Sequence, residues 1–216
     1  GFSEMKRVFQ SHLISTASSK ERLESFSYEV SPAPRNSPAT FLETLVNNDI
    51  AALNDLKNSI SSEAIEQAVT LLQEAETIYV LGQLRSFSVA YNIRYLLLYL
   101  RQNVRLLDGS GGLATEEAEL MSEKSLLVAV SFRYYAREVV DIVEGTARKN
   151  IPILAITDSQ LSPLNKHATC SLVVPGAGHK FSYSLAATMC LAQSLIISMA
   201  SRLQIEGSEE ELNPQD

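Results

Sequence analysis

Three short runs in this chain show no polar alternation: TIYVLG (77–82), SLLVAVS (125–131) and PILAIT (152–157). A strand with one wet face alternates apolar and polar residues. Runs that are apolar on both sides therefore belong to a sheet covered on both faces. Between them lie stretches with helical spacing: SFSVAYNIRYLLLYL (86–100), TEEAELM (115–121) and AREVVDIVEGTARKN (136–150). VRLLD (104–108) and SLVVP (171–175) supply two more strands, and a last long helix is expected from Ser182 to Leu203. Strands alternating with helices imply right-handed parallel crossovers. The expected fold class is α/β: a three-layer α/β/α, doubly wound parallel sheet of about five strands over residues 62–205, with a helical amino-terminal extension.

The extension divides into parts. GFSEMKRVFQSHL suggests a helix from Glu4 to Leu13, capped by Ser3, with Met5, Val8, Phe9 and Leu13 on one face. Nothing nearby offers that face a domain to pack on, so residues 1–15 read as the last helix of a larger unit. Residues 16–40 turn polar and end in SPAPRNSPAT, the composition of a linker. Leu42, Leu45, Val46, Ile50 and Leu53 mark a helix over 41–56, and 41–61 is expected to serve as a linker and dimerisation helix. A serine-capped helix over 62–75 follows, and residues 206–216 form an acidic tail.

Charge and motifs exclude several functions. A net charge of −7 does not suit a nucleic-acid surface, which needs clustered cations; Lys6, Arg7, Lys20 and Arg22 make only a mildly basic start. Residues 181–201 carry no charge over about one bilayer span. Five serines, a threonine and a glutamine within them favour a helix buried in protein over a membrane span. Cys170 and Cys190 lie in apolar segments and are expected to be buried free thiols, as suits a reducing cytoplasm. His12, His167 and His179 lack ligand partners at helical spacing, so no metal is expected. There is no phosphate loop ending in Gly-Lys-Ser/Thr and no G-x-S-x-G elbow, and no cofactor is expected.

In a doubly wound sheet, ligands gather beyond the carboxyl ends of the strands. Four segments lie there: GQLRS (82–86), DGSGG (108–112), SFRYYARE (131–138) and TDSQLSPL (157–164). Gly82 permits a sharp exit from its strand, and Arg85 and Ser86 open a helix whose free amides would favour an anion. They read equally as a plain helix cap with a solvated charge. DGSGG reads as turn glycines. In TDSQLSPL, Ser162 and Pro163 are explained by a helix start alone. SFRYYARE is hardest to dismiss as structure, because two arginines and two tyrosines crowd the end of a buried strand. His179 reads as a loop residue, or as an acid or base.

The order of these strand-end motifs resembles the sugar isomerase (SIS) phosphosugar-binding domain. Together with GFSEMKRVFQ and the two helices before the sheet, it resembles the RpiR (MurR/RpiR) family of bacterial transcriptional regulators. In that family a helix-turn-helix domain precedes the SIS domain, and residues 1–15 resemble its last helix, with most of that domain missing. After the first strand the common SIS pattern is G-x-G-x-S; Gly82 and Ser86 match, and Leu84 replaces the middle glycine. After the third it is S-x-S-G-x-T-x-E; Ser131 and Glu138 match, while Arg133, Tyr134 and Ala136 stand for serine, glycine and threonine.

The resemblance implies a phosphosugar effector at the strand ends and DNA bound through the missing amino-terminal domain. Homodimers or homotetramers are expected, since helices 41–56, 86–100 and 182–203 offer more apolar face than one copy needs. The implied ligand residues are Gly82, Arg85, Ser86, Ser131, Arg133, Tyr135 and Glu138, with no catalytic residue. Arg133 can offer a bidentate fork and Tyr135 a hydroxyl and a stacking face. Arg137 either faces the ligand or pairs with Glu138 or Asp141. The alternatives are a phosphosugar aldose–ketose isomerase with Glu138 or His179 as base, and a dimerisation module that has lost its ligand.

Overall fold

The computed structural model of the chain describes residues 14–15, 38–175 and 184–212, with side chains described for 38–175 and 184–204. The helix expected over 4–13, most of the linker, His12, His179 and the end of the acidic tail lie outside the described residues.

Helix α1 (Pro38–Ser59) starts on a proline, whose fixed φ suits a first turn. Helix α2 (Ser62–Glu74) is capped by Ser61, one residue before the first helical serine; the Ser61 side chain accepts from the amide of Ala64 at 3.2 Å. Five strands follow: β1 (Thr77–Gly82), β2 (Val104–Leu107), β3 (Ser125–Val130), β4 (Ile153–Thr157) and β5 (Cys170–Val173). They pair in the order β2-β1-β3-β4-β5, all parallel. Between them run α3 (Ser86–Tyr99), α4 (Ala114–Glu119) and α5 (Arg137–Arg148), and α6 (Ala186–Leu212) closes the fold.

The strand runs lack polar alternation because alternate side chains enter two separate cores. Ile78, Val80, Leu126, Val128, Leu154 and Ile156 pack under α1, α2, α3 and α6. Tyr79, Leu81, Leu127, Ala129, Ile153 and Ala155 pack under α4 and α5. The expected three-layer architecture is the one observed.

Some local expectations need correction. Pro163–Lys166 is a single 3-10 turn rather than a longer helix, although Ser162 does cap it, accepting from the Leu164 amide at 3.3 Å. Both cysteines are free, but only Cys170 is buried; Cys190 sits on the outer side of α6. Residues Ala186–Gln204 of α6 are long and apolar enough to cross a membrane by composition. Ala187, Leu191, Ala192, Leu195, Ile196 and Met199 of that helix nevertheless pack into the first core.

Two features set the site. The chain leaves β1 toward β2 on one side and reaches β3 on the other, so the strand order reverses between β1 and β3. Such a switch point opens a crevice beyond the strand ends. The register also aligns those ends, with Gly82 opposite Val130 and Val130 opposite Ile156.

Candidate functional site

The loop leaving β1 is pressed close to its helix. A Cβ on Gly82 would meet the Ser86 carbonyl oxygen at 2.7 Å and the Ala90 Cβ at 2.9 Å, so only glycine allows α3 to settle there. Ser86 is buried and Arg85 half-buried. The expected free amides are not found: Ser86 donates to the Gln83 carbonyl at 3.1 Å, Phe87 to Leu84 at 3.2 Å and Ser88 to Arg85 at 3.3 Å. A tight turn before the helix takes up the Ser86, Phe87 and Ser88 amides. Leu84 sits at the turn with φ 56°, in the left-handed region.

The loop leaving β3 is fastened twice to the residue after β4. The Arg133 amide donates to Asp158 Oδ2 at 2.9 Å, and the Tyr135 hydroxyl donates to Asp158 Oδ1 at 2.8 Å. Ser131 is buried, its amide donating to the Ile156 carbonyl at 3.1 Å. The Arg133 side chain is exposed, with its guanidinium carbon 5.4 Å from the centre of the Tyr134 ring. Tyr134 holds φ 68°.

Tyr135 departs from its expected role. It is only 1% exposed and offers no face for stacking on a sugar. Burial raises the pKa of its hydroxyl above the usual phenol value, and the charge and hydrogen bond of Asp158 push the same way. Tyr135 is a core residue that shapes the loop through Asp158. Arg137 turns onto the helix surface, its Nε donating to Asp141 Oδ1 at 3.0 Å and Oδ2 at 3.2 Å. Glu138 is half-buried at the start of α5 and accepts a hydrogen bond from Gln83 Nε2.

These bonds join three strand ends into one surface. Gln83 ties the β1 loop to α5, and Asp158 ties the β3 loop to the β4 end. Gly82, Arg85, Ser86, Ser131, Arg133 and Glu138 all lie where the chain leaves β1 and β3 for the next helix, Ser86 and Ser131 buried and Tyr135 in the core. Neither Gln83 nor Asp158 stands out in the sequence as a site residue. The one signal for Asp158 is a carboxylate directly after a strand buried on both faces. The DGSGG loop is a turn: Gly109, Gly111 and Gly112 all have positive φ, and the Ser110 amide donates to Asp108 Oδ1 at 2.8 Å.

The profile of the SIS domain family matches residues 71–198, more than half of the chain. The chain belongs to the SIS domain family. The curated relatives include the "Bifunctional protein glk" of Burkholderia thailandensis, 27% identical over 129 residues that make up 59% of this chain and 20% of that protein. The chain thus spans about a fifth of the length of the curated relatives it matches. Among solved structures, the sugar isomerase domain of an RpiR transcription factor from Sphaerobacter thermophilus is 30% identical, with a TM-score of 0.70 over 74% of this chain and 89% of that one. The Vibrio vulnificus NanR protein complexed with ManNAc-6P is 21% identical, with a TM-score of 0.69 over 86% of this chain and 70% of that one. Phosphoheptose isomerase GmhA from Neisseria gonorrhoeae is 12% identical, with a TM-score of 0.65 over 76% of this chain and all of that one. The last two likenesses are of fold alone.

One feature of this SIS domain follows from its geometry. Leu84 and Tyr134 stand where the common strand-end patterns carry glycine, and both keep the left-handed backbone that glycine favours. The loops retain the glycine backbone at the cost of strain in two bulky residues.

Proposed function

We propose that this SIS domain is the effector-binding part of an RpiR-type transcriptional regulator. A phosphosugar enters the crevice between the β1 and β3 loops, and its arrival is passed to a DNA-reading domain on the amino-terminal side. The observation that carries this reading is a short strand, Ile14–Ser15, paired in parallel with Tyr135–Ala136. Ile14 lies opposite Tyr135 and Ser15 opposite Ala136. The chain on the amino-terminal side is thereby bonded to the loop that meets the ligand. An isomerase has no need of that link, whereas a sensor must couple ligand occupancy to a second element.

In this reading Arg133 and Arg85 receive the phosphate, and Ser86 and Ser131 form the floor. Gly82 lets the backbone close in, and Glu138, held by Gln83, accepts from a sugar hydroxyl. Tyr135 acts through Asp158 on loop shape. Phe41, Leu42, Leu45, Val46, Ile50 and Leu53 on α1 stay exposed, an apolar face that suits a second copy of the chain. The 30% identity to an RpiR sugar isomerase domain supports the regulator reading. The isomerase reading draws on the isomerases among the similar folds and would use Glu138 as the base at C1–C2.

Amide hydrogen exchange of segments 13–16 and 134–137, with and without saturating N-acetylglucosamine 6-phosphate, glucose 6-phosphate and ribose 5-phosphate, tests the coupling. The binding sugar should change exchange in both segments at least about fivefold, the lower end of typical coupling between sites. No aldose should be converted to ketose. Exchange that changes at 134–137 but not at 13–16, or sustained turnover, would contradict the regulator.

A further inference from the structure

We propose that the groove along the outer edge of β2 is a docking site for residues 25–30 of the same chain, SFSYEV. They add to the sheet as a sixth strand, with Glu29 facing Arg105. The proposal does not depend on the phosphosugar reading.

β2 ends the sheet and pairs with β1 alone. The Ile78 amide donates to the Asn103 carbonyl at 2.9 Å. By strand alternation Arg105 and Leu107 also turn their backbone groups to β1, and Val104 and Leu106 turn theirs outward. Among the described residues nothing pairs with that outward row, and such a row is a template for another strand. The other edge strand, β5, already carries bonds to α2: the Cys170 thiol donates to the Ala64 carbonyl at 3.6 Å, and Gln67 to the Thr169 carbonyl at 3.3 Å. β2 is short and carries Arg105, features that ordinarily blunt an edge. The Arg105 guanidinium carbon lies 6.0 Å from the centre of the Tyr79 ring, however, so the side chain turns in over β1 and leaves the edge open.

The edge is set in a groove of about 480 Å3 whose two walls differ. On the side of α3 stand Phe87 and Tyr91, their ring centres 6.0 Å apart and the residues 38% and 50% exposed. On the side of α4 stand Arg105, Glu117 and Leu120. A strand that fills the groove must put apolar side chains on one face and polar ones on the other. Residues 16–37 connect Ser15, opposite Ala136, to Pro38 at the start of α1. Within them SFSYEV alternates without a break: Phe26, Tyr28 and Val30 fall on one face, and Ser25, Ser27 and Glu29 on the other. The first set matches the aromatic wall, and Glu29 is opposite in charge to Arg105. The connection is long enough. From Ser15 to Ser25 the chain spans up to about 33 Å, and from Val30 to Pro38 up to about 26 Å. β2 lies two strands from β3, about 10 Å away.

The test is amide hydrogen exchange of the whole chain at two protein concentrations about a hundredfold apart. In the wild type, the amides of 26–30, Val104 and Leu106 should exchange at least about tenfold more slowly than in Tyr28→Pro, the combined worth of two strand hydrogen bonds. Tyr28→Pro removes a donor outside the five-stranded sheet, so amides of β1 and β3 should stay as they are. Glu29→Lys should speed exchange at Val104 and Leu106 by up to about fivefold, the upper worth of an exposed ion pair, and adding Arg105→Glu should restore it. Exchange at Val104 and Leu106 that Tyr28→Pro leaves unchanged overturns the docking. So does a change that falls on Cys170–Val173 instead, which would put the segment on the other edge. Protection lost on dilution assigns the segment to a second copy and overturns the same-chain strand. A double variant as fast as Glu29→Lys overturns the facing of Glu29 and Arg105.

Discussion

Asp158→Ala is expected to lower the unfolding free energy by about 2–4 kcal/mol and to weaken phosphosugar binding at least about a hundredfold. Asp158 accepts both the Arg133 amide and the Tyr135 hydroxyl. The hydroxyl belongs to a residue 1% exposed, so losing its acceptor leaves a buried donor unpaired, which costs about 1–3 kcal/mol. The bond to a carboxylate adds to the loss. For a folded region of this size, that corresponds to a fall in midpoint of about 4–16 °C. Binding suffers because the loop that carries Arg133 is no longer held against the β4 end, and small misplacements of ligating groups are costly. Tyr135→Phe removes only one of the two bonds and should show a smaller loss of both.

The same contact gives a pH signature. The folded protein holds the Tyr135 proton more tightly than the unfolded chain, whose tyrosine titrates at 10.0. Stability from this group is therefore complete below pH about 10 and declines as pH rises through the folded-state value. Chemical denaturation of wild type and Tyr135→Phe on both sides of that pH checks it. The wild type should lose stability on the alkaline side, and Tyr135→Phe should lose less of it. Parallel alkaline losses in the two proteins would place the proton elsewhere.

Gly82→Ala carries the second large effect, an expected loss of about 2–3 kcal/mol. The new Cβ would stand 2.7 Å from the Ser86 carbonyl oxygen and 2.9 Å from the Ala90 Cβ, and neither neighbour is the flexible end of a long side chain. Helix α3 must lift from the strand end, and Arg85 and Ser86 move with it. The reduced entropy of the unfolded alanine chain offsets only about 0.4–1 kcal/mol of that. Thermal unfolding measures the first consequence and phosphosugar titration the second. A variant as stable as wild type would show that α3 does not depend on this close approach.

The strands were legible because burial on both faces leaves a pattern that few other structures produce. TIYVLG and SLLVAVS feed alternate residues into two cores, so neither run contains a polar break before its end. The helix ends were legible where a cap residue marks them, and blurred where two serines compete, as Ser61 and Ser62 do. The site was legible by position only. Arg133 and Glu138 can be placed at a strand end from sequence, but the partners of that loop cannot. Asp158 reaches Arg133 and Tyr135 because β3 and β4 pair in a register that no local spacing encodes. Tyr135 looked like a ligand group because it sits among polar neighbours, whereas its ring enters the core beneath the loop. Cys190 misled in the opposite sense: a helix apolar nearly all round gives no sign of which side faces outward. Leu84 and Tyr134 are hidden because their residue types argue against the backbone they adopt.

The most direct measurement is thermal unfolding of the wild type and Arg133→Ala against hexose 6-phosphates, amino-sugar 6-phosphates and pentose phosphates. At a hundredfold excess over its dissociation constant, a ligand that binds only the folded state stabilises it by about 2.7 kcal/mol. The phosphosugar reading predicts a shift of that size from at least one compound in the wild type, and its loss in Arg133→Ala. No shift from any compound, or a shift that persists undiminished in Arg133→Ala, would contradict a phosphosugar held at these strand ends.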